Sequence, residues 1–238
     1  MNRLLLRLSN NEIKKIKNVK MLVFDMAGTT VNEKGIVYDT LYDTIKDFGL
    51  NISREDINKW HGANKYEVLN FYLQKDKNKN DEIQNCIEMQ LRNNFDNNLK
   101  ERYLSSSNIS LIDEKIPELF NNIRCKDIKI TLNTGYSKDI QKYIINKLRM
   151  EEFIDNYISS QEVKIGRPFP YMIHELMKKN NIKSSKNVIK FGDTKNDILE
   201  GLNANCLSSV GVLSGADCEN GLKDATHIIR SVIDIKIN

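Results

Sequence analysis

Two hydrophobic patterns succeed one another along the chain, and the change between them is abrupt. "KMLVFDM", Lys20 to Met26, is a short continuous apolar run, the pattern of a parallel strand buried on both faces. From Tyr38 to about Arg102, apolar residues recur instead at helical spacing, in "LYDTIKDFGL", "REDINKWHG", "KYEVLNFYL" and "IQNCIEMQLRNNF". Loop signals at Gly49 and around "KDKNKND" divide this block, and Ser53 followed by Glu55 and Asp56 suits a helix start, with acids at the positive end of the dipole. After "SSSN" the pattern alternates. A helix around "EKIPELFNNI" leads to the strand "IKITLNTG", the helix "SKDIQKYIINKLRM" and a short strand near "NYISS". The helix "PYMIHELMKKN", the strand "NVIKFGD", the helix "NDILEGLNAN" and the strand "LSSVGVL" follow. Residues 1 to 19 predict a helix, "NNEIKKIKNV", with Asn10 or Asn11 as its cap.

Strands alternating with helices of about ten or more residues predict an α/β fold built on a doubly wound parallel sheet. The helical block then reads as an insert after the first strand. The expected division is a core of residues 1–35 and 109–238 and an insert of residues 36–108, and 238 residues suffice for both. Sites in such sheets lie outside the carboxyl ends of the strands. Asp25, Thr134 and Asp193 each fall at such an end.

Composition narrows the function classes. The net charge of +4 is small beside 36 basic and 32 acidic residues, whose signs are interspersed, so no nucleic-acid partner is indicated. An anionic small molecule fits better. Cys86, Cys125, Cys206 and Cys218 form no CxxC pair and no finger spacing with the three histidines, which predicts free, buried or half-buried thiols in a reducing compartment. No apolar run reaches membrane length, and the amino-terminal patch is broken by Arg7, so a cytoplasmic protein without a membrane partner is expected.

The candidate chemistry gathers at the strand ends. Gly28 allows a sharp turn after Asp25, in which the amides and hydroxyls of Thr29 and Thr30 can face an anion. Thr134 in "LNTGY" offers a hydroxyl and nearby amides to a phosphoryl oxygen, although a plain turn capped by Ser137 would read the same way. Arg167 in "IGRPFP" is a cation held in a stiff loop. Asp193 and Asp197 in "FGDTKND", with Asp25, make an oxygen-rich set that suits Mg²⁺.

In this order, "DMAGTT", "NTG", "GRPFP" and "GDTKND" resemble the four motifs of the haloacid dehalogenase superfamily, and "FDMAGTTV" is most similar to its phosphonatase-like branch, the phosphonoacetaldehyde hydrolases. The resemblance implies a Rossmann-like core with a helical cap. It implies Asp25 as the nucleophile that carries the phosphoryl group as an aspartyl-phosphate. Asp25, the Ala27 carbonyl and Asp193 would hold Mg²⁺, supported by Asp197, and Thr134 and Arg167 would bind the phosphoryl oxygens. Thr29, Gly135, Tyr136 and His61 would line the substrate, a small phosphorylated or phosphonate metabolite. A homodimer is implied by family analogy alone.

Ala27 stands where phosphatases of this superfamily carry a second aspartate, the general acid and base. Phosphonatases replace that acid with a cap lysine, which condenses with an aldehyde so that P–C cleavage delivers its electrons to an iminium. Gly62-x-x-Lys65 resembles their Gly-x-x-Lys pattern and makes Lys65 the candidate, a solvated cap lysine being the alternative. The chain departs from the branch in having Val68 where a histidine follows the lysine, His61 where a methionine precedes the glycine, and no cysteine between the first motif and Tyr38. Two other readings stay open: a phosphomonoesterase whose missing proton comes from His61, Tyr136 or the substrate, and a phosphate-binding protein with little turnover.

Overall fold

The computed structural model describes residues 3–60, 65–75, 81–105 and 109–237. In chain order, strand β1 (Met21–Asp25) precedes four helices, α1 (Ile36–Asp47), α2 (Arg54–Asn58), α3 (Lys65–Lys75) and α4 (Asp81–Ser105). Then come α5 (Ile116–Arg124), β2 (Lys129–Thr134), α6 (Lys138–Lys147) and β3 (Asn156–Ser159). The chain continues through α7 (Tyr171–Lys179), β4 (Val188–Gly192), α8 (Lys195–Asn203), β5 (Ser208–Val212) and β6 (His227–Ile229). It divides into two compact units, one of Met1–Asn32 with Ser110–Asn238 and one of Glu33–Ile109.

The first unit is an α/β fold around a parallel sheet of order β6-β5-β4-β1-β2-β3. The chain builds outward from β1 to β2 and β3, then returns to the other side of β1 for β4 to β6. Between β1 and β4 the connections therefore diverge, which opens a crevice at the carboxyl ends of those two strands. Every residue of β1 is buried, as its unbroken apolar run requires. On one face Phe24 stacks between Phe120 of α5 and Phe191 of β4, each at 4.7 Å between ring centroids. On the other, Met21 and Val23 pack with Ile158, Met172, Ile173, Leu176 and Val188. Each such side chain, fully buried, contributes about 1.5–3 kcal/mol.

The expected helix in residues 1–19 is not formed. Arg3–Arg7 and Ile13–Lys17 pair as an antiparallel hairpin, and Ile235–Ile237 adds a third strand beside Arg3–Arg7. Ile13 and Ile16 suggested a helical stripe, yet Ile16 is buried and Ile13 is 54% exposed. The period that decides is two: Leu4 and Leu6 turn inward together, and Ile16 and Ile235 stand opposite them. Asn11, a proposed cap, instead takes a left-handed turn conformation at φ 68°. The strand that seals this sheet lies some 220 positions away, so no local pattern reports it. The thiol expectation also needs correction, because Cys86, Cys125 and Cys218 are exposed and Cys206 alone is half-buried, although all four are free.

In the second unit, α4 turns Leu91, Phe95, Leu99 and Tyr103 inward at every fourth position. α1 buries Val37, Leu41 and Ile45, and α3 buries Val68, Leu69, Tyr72 and Leu73. Ser53 caps α2 in a capping box with Asp56. Lys65 opens α3, its Nζ 4.7 Å from the centre of the Tyr38 ring and 3.5 Å from that hydroxyl. His61 and Gly62 lie outside the described residues. No helix among the described residues is long and apolar enough to cross a membrane.

Candidate active site

The carboxyl end of β1 delivers Asp25 into the crevice, and the turn behind it is closed by its own backbone. The amides of Thr30 and Val31 donate to the Met26 carbonyl at 2.9 and 2.7 Å, and the Gly28 amide donates to Val31 O at 2.8 Å. Thr30 Oγ1 donates to the Asp25 carbonyl at 2.9 Å, and Thr29 Oγ1 to Asp193 Oδ1 at 3.1 Å. The Thr30 hydroxyl, expected to face an anion, is thus taken up by its own turn, whereas that of Thr29 reaches across to the Asp193 carboxylate. Gly28 sits at φ 75°, and a Cβ there would come within 2.4 Å of Asp193 Oδ2.

Three carboxylates meet. One oxygen from each of Asp25, Asp193 and Asp197 lies within 4.8 Å of the others, and all three residues are buried. Asp193 follows β4, and Asp197 lies on the first turn of α8, where Thr194 caps the helix and donates to Asp197 Oδ2 at 2.6 Å. Gly192 brings the helix this close: a Cβ on it would stand 2.2 Å from that of Asp197.

The loop arginine joins them. Arg167, whose peptide to Pro168 is cis, places Nη2 2.7 Å from Asp25 Oδ1 and Nη1 3.0 Å from Asp197 Oδ1. Thr134 is buried one position beyond Asn133, the residue paired with Asp25, and its Oγ1 accepts the Tyr136 amide at 3.3 Å. Gly135 is exposed, with open space where a side chain would stand, while Tyr136 is buried. Ala27 is half-buried at the turn, in a bridge with Val31. Asp25, Thr29, Arg167, Asp193 and Asp197 therefore come together in the first unit, with Thr134 at the end of the neighbouring strand, whereas Lys65 belongs to the second.

The carboxylates differ in their compensation. Burial, the largest influence, raises the Asp25 carboxyl above its ordinary value against the pull of Arg167, and the Asp197 charge adds to the rise. Burial also pushes Asp193 well up, reinforced by the charges of Asp25 and Asp197, with only the Ala216 amide and the Thr29 hydroxyl in opposition. For Asp197 burial works in the same direction, but Arg167 and Lys190 outweigh it and hold the group below the usual range.

Three residues at this end of the sheet were given no role by the sequence: Lys190, Glu200 and Asn133, which stands inside the "NTG" motif. Lys190 Nζ lies 2.8 Å from Asp197 Oδ1 and donates to Asn133 Oδ1 at 2.8 Å, and Glu200 accepts Asn133 Nδ2 on both oxygens at 2.9 Å. A lysine inside the otherwise apolar run "NVIKF" was the available signal, because a fully buried ammonium demands acids around it. Glu200, three residues after Asp197, shares its helix face.

Comparison with known proteins agrees with this architecture. The family model described as haloacid dehalogenase-like hydrolase matches residues 22–211. A phosphonoacetaldehyde hydrolase of Parabacteroides distasonis is 38% identical over 106 residues, which are 44% of this chain and 39% of that protein. One from Bacillus cytotoxicus is 30% identical over 110 residues, 46% of this chain and 41% of that protein. The chain thus spans about two-fifths of the length of these curated relatives. Among solved structures, a phosphonoacetaldehyde hydrolase-like protein from Oleispira antarctica superposes with a TM-score of 0.75 at 21% identity, covering 91% of this chain and 90% of that one.

Proposed function

The chain belongs to the haloacid dehalogenase-like hydrolase family, and from that premise we propose that it hydrolyses a small phosphorus-containing metabolite by way of a phosphoryl group carried on Asp25. The observation that carries the reading is the asymmetry around that carboxylate. Arg167 faces it on one side, and on the other stands Asp193, buried and with no cation against it among the described residues.

The donor set fits Mg²⁺. Asp25, Asp193, Asp197 and Glu200, if all ionised, oppose only Arg167 and Lys190, which leaves two negative charges buried among hard oxygen donors. Asp25, the Ala27 carbonyl and Asp193 would hold the ion, with Asp197 supporting them. When bound, it would polarise a phosphoryl oxygen and offset the charge that gathers on it.

The Asp25 carboxylate attacks phosphorus; the new O–P bond forms as the bond to the leaving group breaks, and the leaving group takes the electron pair. Arg167 keeps the carboxylate aimed and meets the phosphoryl oxygens as they arrive, and Thr134 with the Gly135 amide offers them further donors. Water then attacks phosphorus, releases inorganic phosphate and returns Asp25. In the phosphonatase-like version, Lys65 condenses with an aldehyde carbonyl, losing water, and the electrons of the P–C bond pass to the iminium to give an enamine; the enamine takes up a proton and water then hydrolyses the iminium, releasing the aldehyde product and the Lys65 amine. That version explains why Ala27 needs no acid.

One observation favours phosphomonoesters instead. Val68, where the branch carries a histidine, is fully buried and cannot move a proton. Phosphate release from phosphonoacetaldehyde and from a panel of phosphomonoesters, with Mg²⁺, separates the two. Phosphonoacetaldehyde cleavage that vanishes in Lys65→Arg, with borohydride trapping of a substrate adduct on the wild type, supports the imine route. Ester hydrolysis that survives Lys65→Arg leaves Lys65 as a cap residue. Tight phosphate binding without turnover of either class overturns the hydrolytic reading.

A further inference from the structure

Lys190 and Glu200 take no part in the chemistry above, yet both are fully buried beside it. A lone buried ammonium or carboxylate costs several kcal/mol, so each needs a partner. They have one another, with Lys190 Nζ 3.5 Å from Glu200 Oε2, and they share Asn133. The same group closes on Arg167. Glu200 Oε2 accepts Nε at 3.1 Å, Asp197 Oδ1 lies 3.0 Å from Nη1, and Nη2 donates to Asn133 O and Oδ1 at 2.9 and 2.8 Å.

A guanidinium is planar and its donors point in fixed directions. Once Nε and Nη1 are held, the direction of Nη2 is determined, and that nitrogen meets Asp25 at 2.7 Å. The fold supplies the clamp. Asn133 stands opposite Asp25 in the β1–β2 register, Lys190 stands opposite Val23 on β4, and α8 lays Asp197 and Glu200 across the same end of the sheet.

We infer that Glu200, Asn133 and Lys190 are positioning residues that lock the plane of Arg167 and thereby aim Asp25 at phosphorus. Their tasks differ. Glu200 and Asn133 act by direction, through hydrogen bonds to the fork. Lys190 acts by charge, balancing Glu200 and Asp197 so that Arg167 is not drawn from Asp25 toward them. The inference rests on the reading of Asp25 as the phosphoryl acceptor.

The test uses Mg²⁺ with beryllium fluoride, which caps an aspartate as a phosphoryl mimic, followed by ¹⁹F NMR, with thermal unfolding measured on the same samples. Glu200→Gln and Lys190→Met each remove one member of a buried charge pair, upset the balance of the cluster and lower Tm; the double variant removes both charges together and regains it. Despite that recovery, the double variant binds beryllium fluoride about 10- to 100-fold more weakly, the usual loss when a supporting partner is removed. Glu200→Asp provides the second variant: it keeps the charge that Lys190 needs, withdraws the oxygen from Nε, and weakens the adduct while Tm stays near wild type. Wild-type adduct affinity in Glu200→Asp, or in a double variant with restored Tm, overturns the inference and leaves the cluster a purely structural device. A wild type that forms no adduct, or an adduct that persists in Asp25→Ala, fails differently: it overturns the role of Asp25 itself, and the positioning role falls with it.

Discussion

The two units use charge in opposite ways. In the first, six ionisable side chains and an asparagine are packed out of water into one connected cluster, and Asp25 is only 5% exposed. In the second, the ion pairs among the described residues are more exposed; Arg54 and Asp39 face each other with side chains 58% and 52% exposed. The helical unit holds together through its apolar face, notably the stripe from Leu91 to Tyr103, and its charges largely solvate it. The sheet unit has an apolar interior as well, around Phe24 and Met21, but at its carboxyl end it spends stability on placing charge. Charge that is buried at a cost calls for a functional explanation, and charge at the surface does not.

The comparison can be tested to destruction at Asp25. Asp25→Ala is expected to lower phosphate release by at least about a thousand-fold, as loss of a nucleophile does, while the far-ultraviolet spectrum stays that of the folded chain. Retained turnover would remove the site from the sheet end. Phe24→Ala, which leaves a void between Phe120 and Phe191, is expected to cost about 3–5 kcal/mol in urea unfolding, with an unchanged turnover number for the molecules that remain folded. A small cost would mean that the aromatic stack is not what supports β1.

A subtler effect concerns Asp193. Its raised pKa means that the folded chain takes up this proton at a higher pH than the unfolded chain does. The folded state then binds more protons, so its stability in the absence of metal rises as pH falls from neutral through that raised value toward the ordinary carboxylate range. Asp197 runs the other way: its stabilisation is present above the ordinary carboxylate pKa and is lost only as pH falls through its depressed folded value. In chelator-treated protein, Asp193→Asn is therefore expected to raise Tm at neutral pH and to reduce the gain on acidification, while abolishing the rise in Tm that Mg²⁺ gives the wild type. An equal Mg²⁺ response in both proteins would exclude Asp193 from the metal site. The smallest effect belongs to the helical unit, where Arg54→Ala is expected to leave Tm unchanged within error, since an exposed pair contributes little. A clear drop would show that this surface pairing supports the fold after all.

Much of this was legible locally. The unbroken apolar run of β1, the alternation of strands with helices after residue 109 and the helical spacing of the insert each follow from a short-range period, and the parallel sheet followed from their order. Asp25, Thr134 and Asp193 could be placed because strand ends are visible in a pattern and sites in such sheets lie there. The amino-terminal hairpin was not legible, because Leu4 and Leu6 acquire their partners only when Ile235–Ile237 folds back beside them.

The site divides in the same way. Its acids and its arginine were evident from the sequence as candidates, each standing alone. Whether a carboxylate holds its charge depends on what surrounds it in space, and that is the sum of desolvation, of the neighbouring carboxylates and of the opposite charges of Arg167 and Lys190. Asp193 and Asp197 lie four residues apart on one strand-to-helix junction, yet burial raises the first while Arg167 and Lys190 lower the second. The sequence determined which groups could carry charge; the packing of α8 and the Arg167 loop against the sheet decided which of them faces a cation among the described residues and which does not.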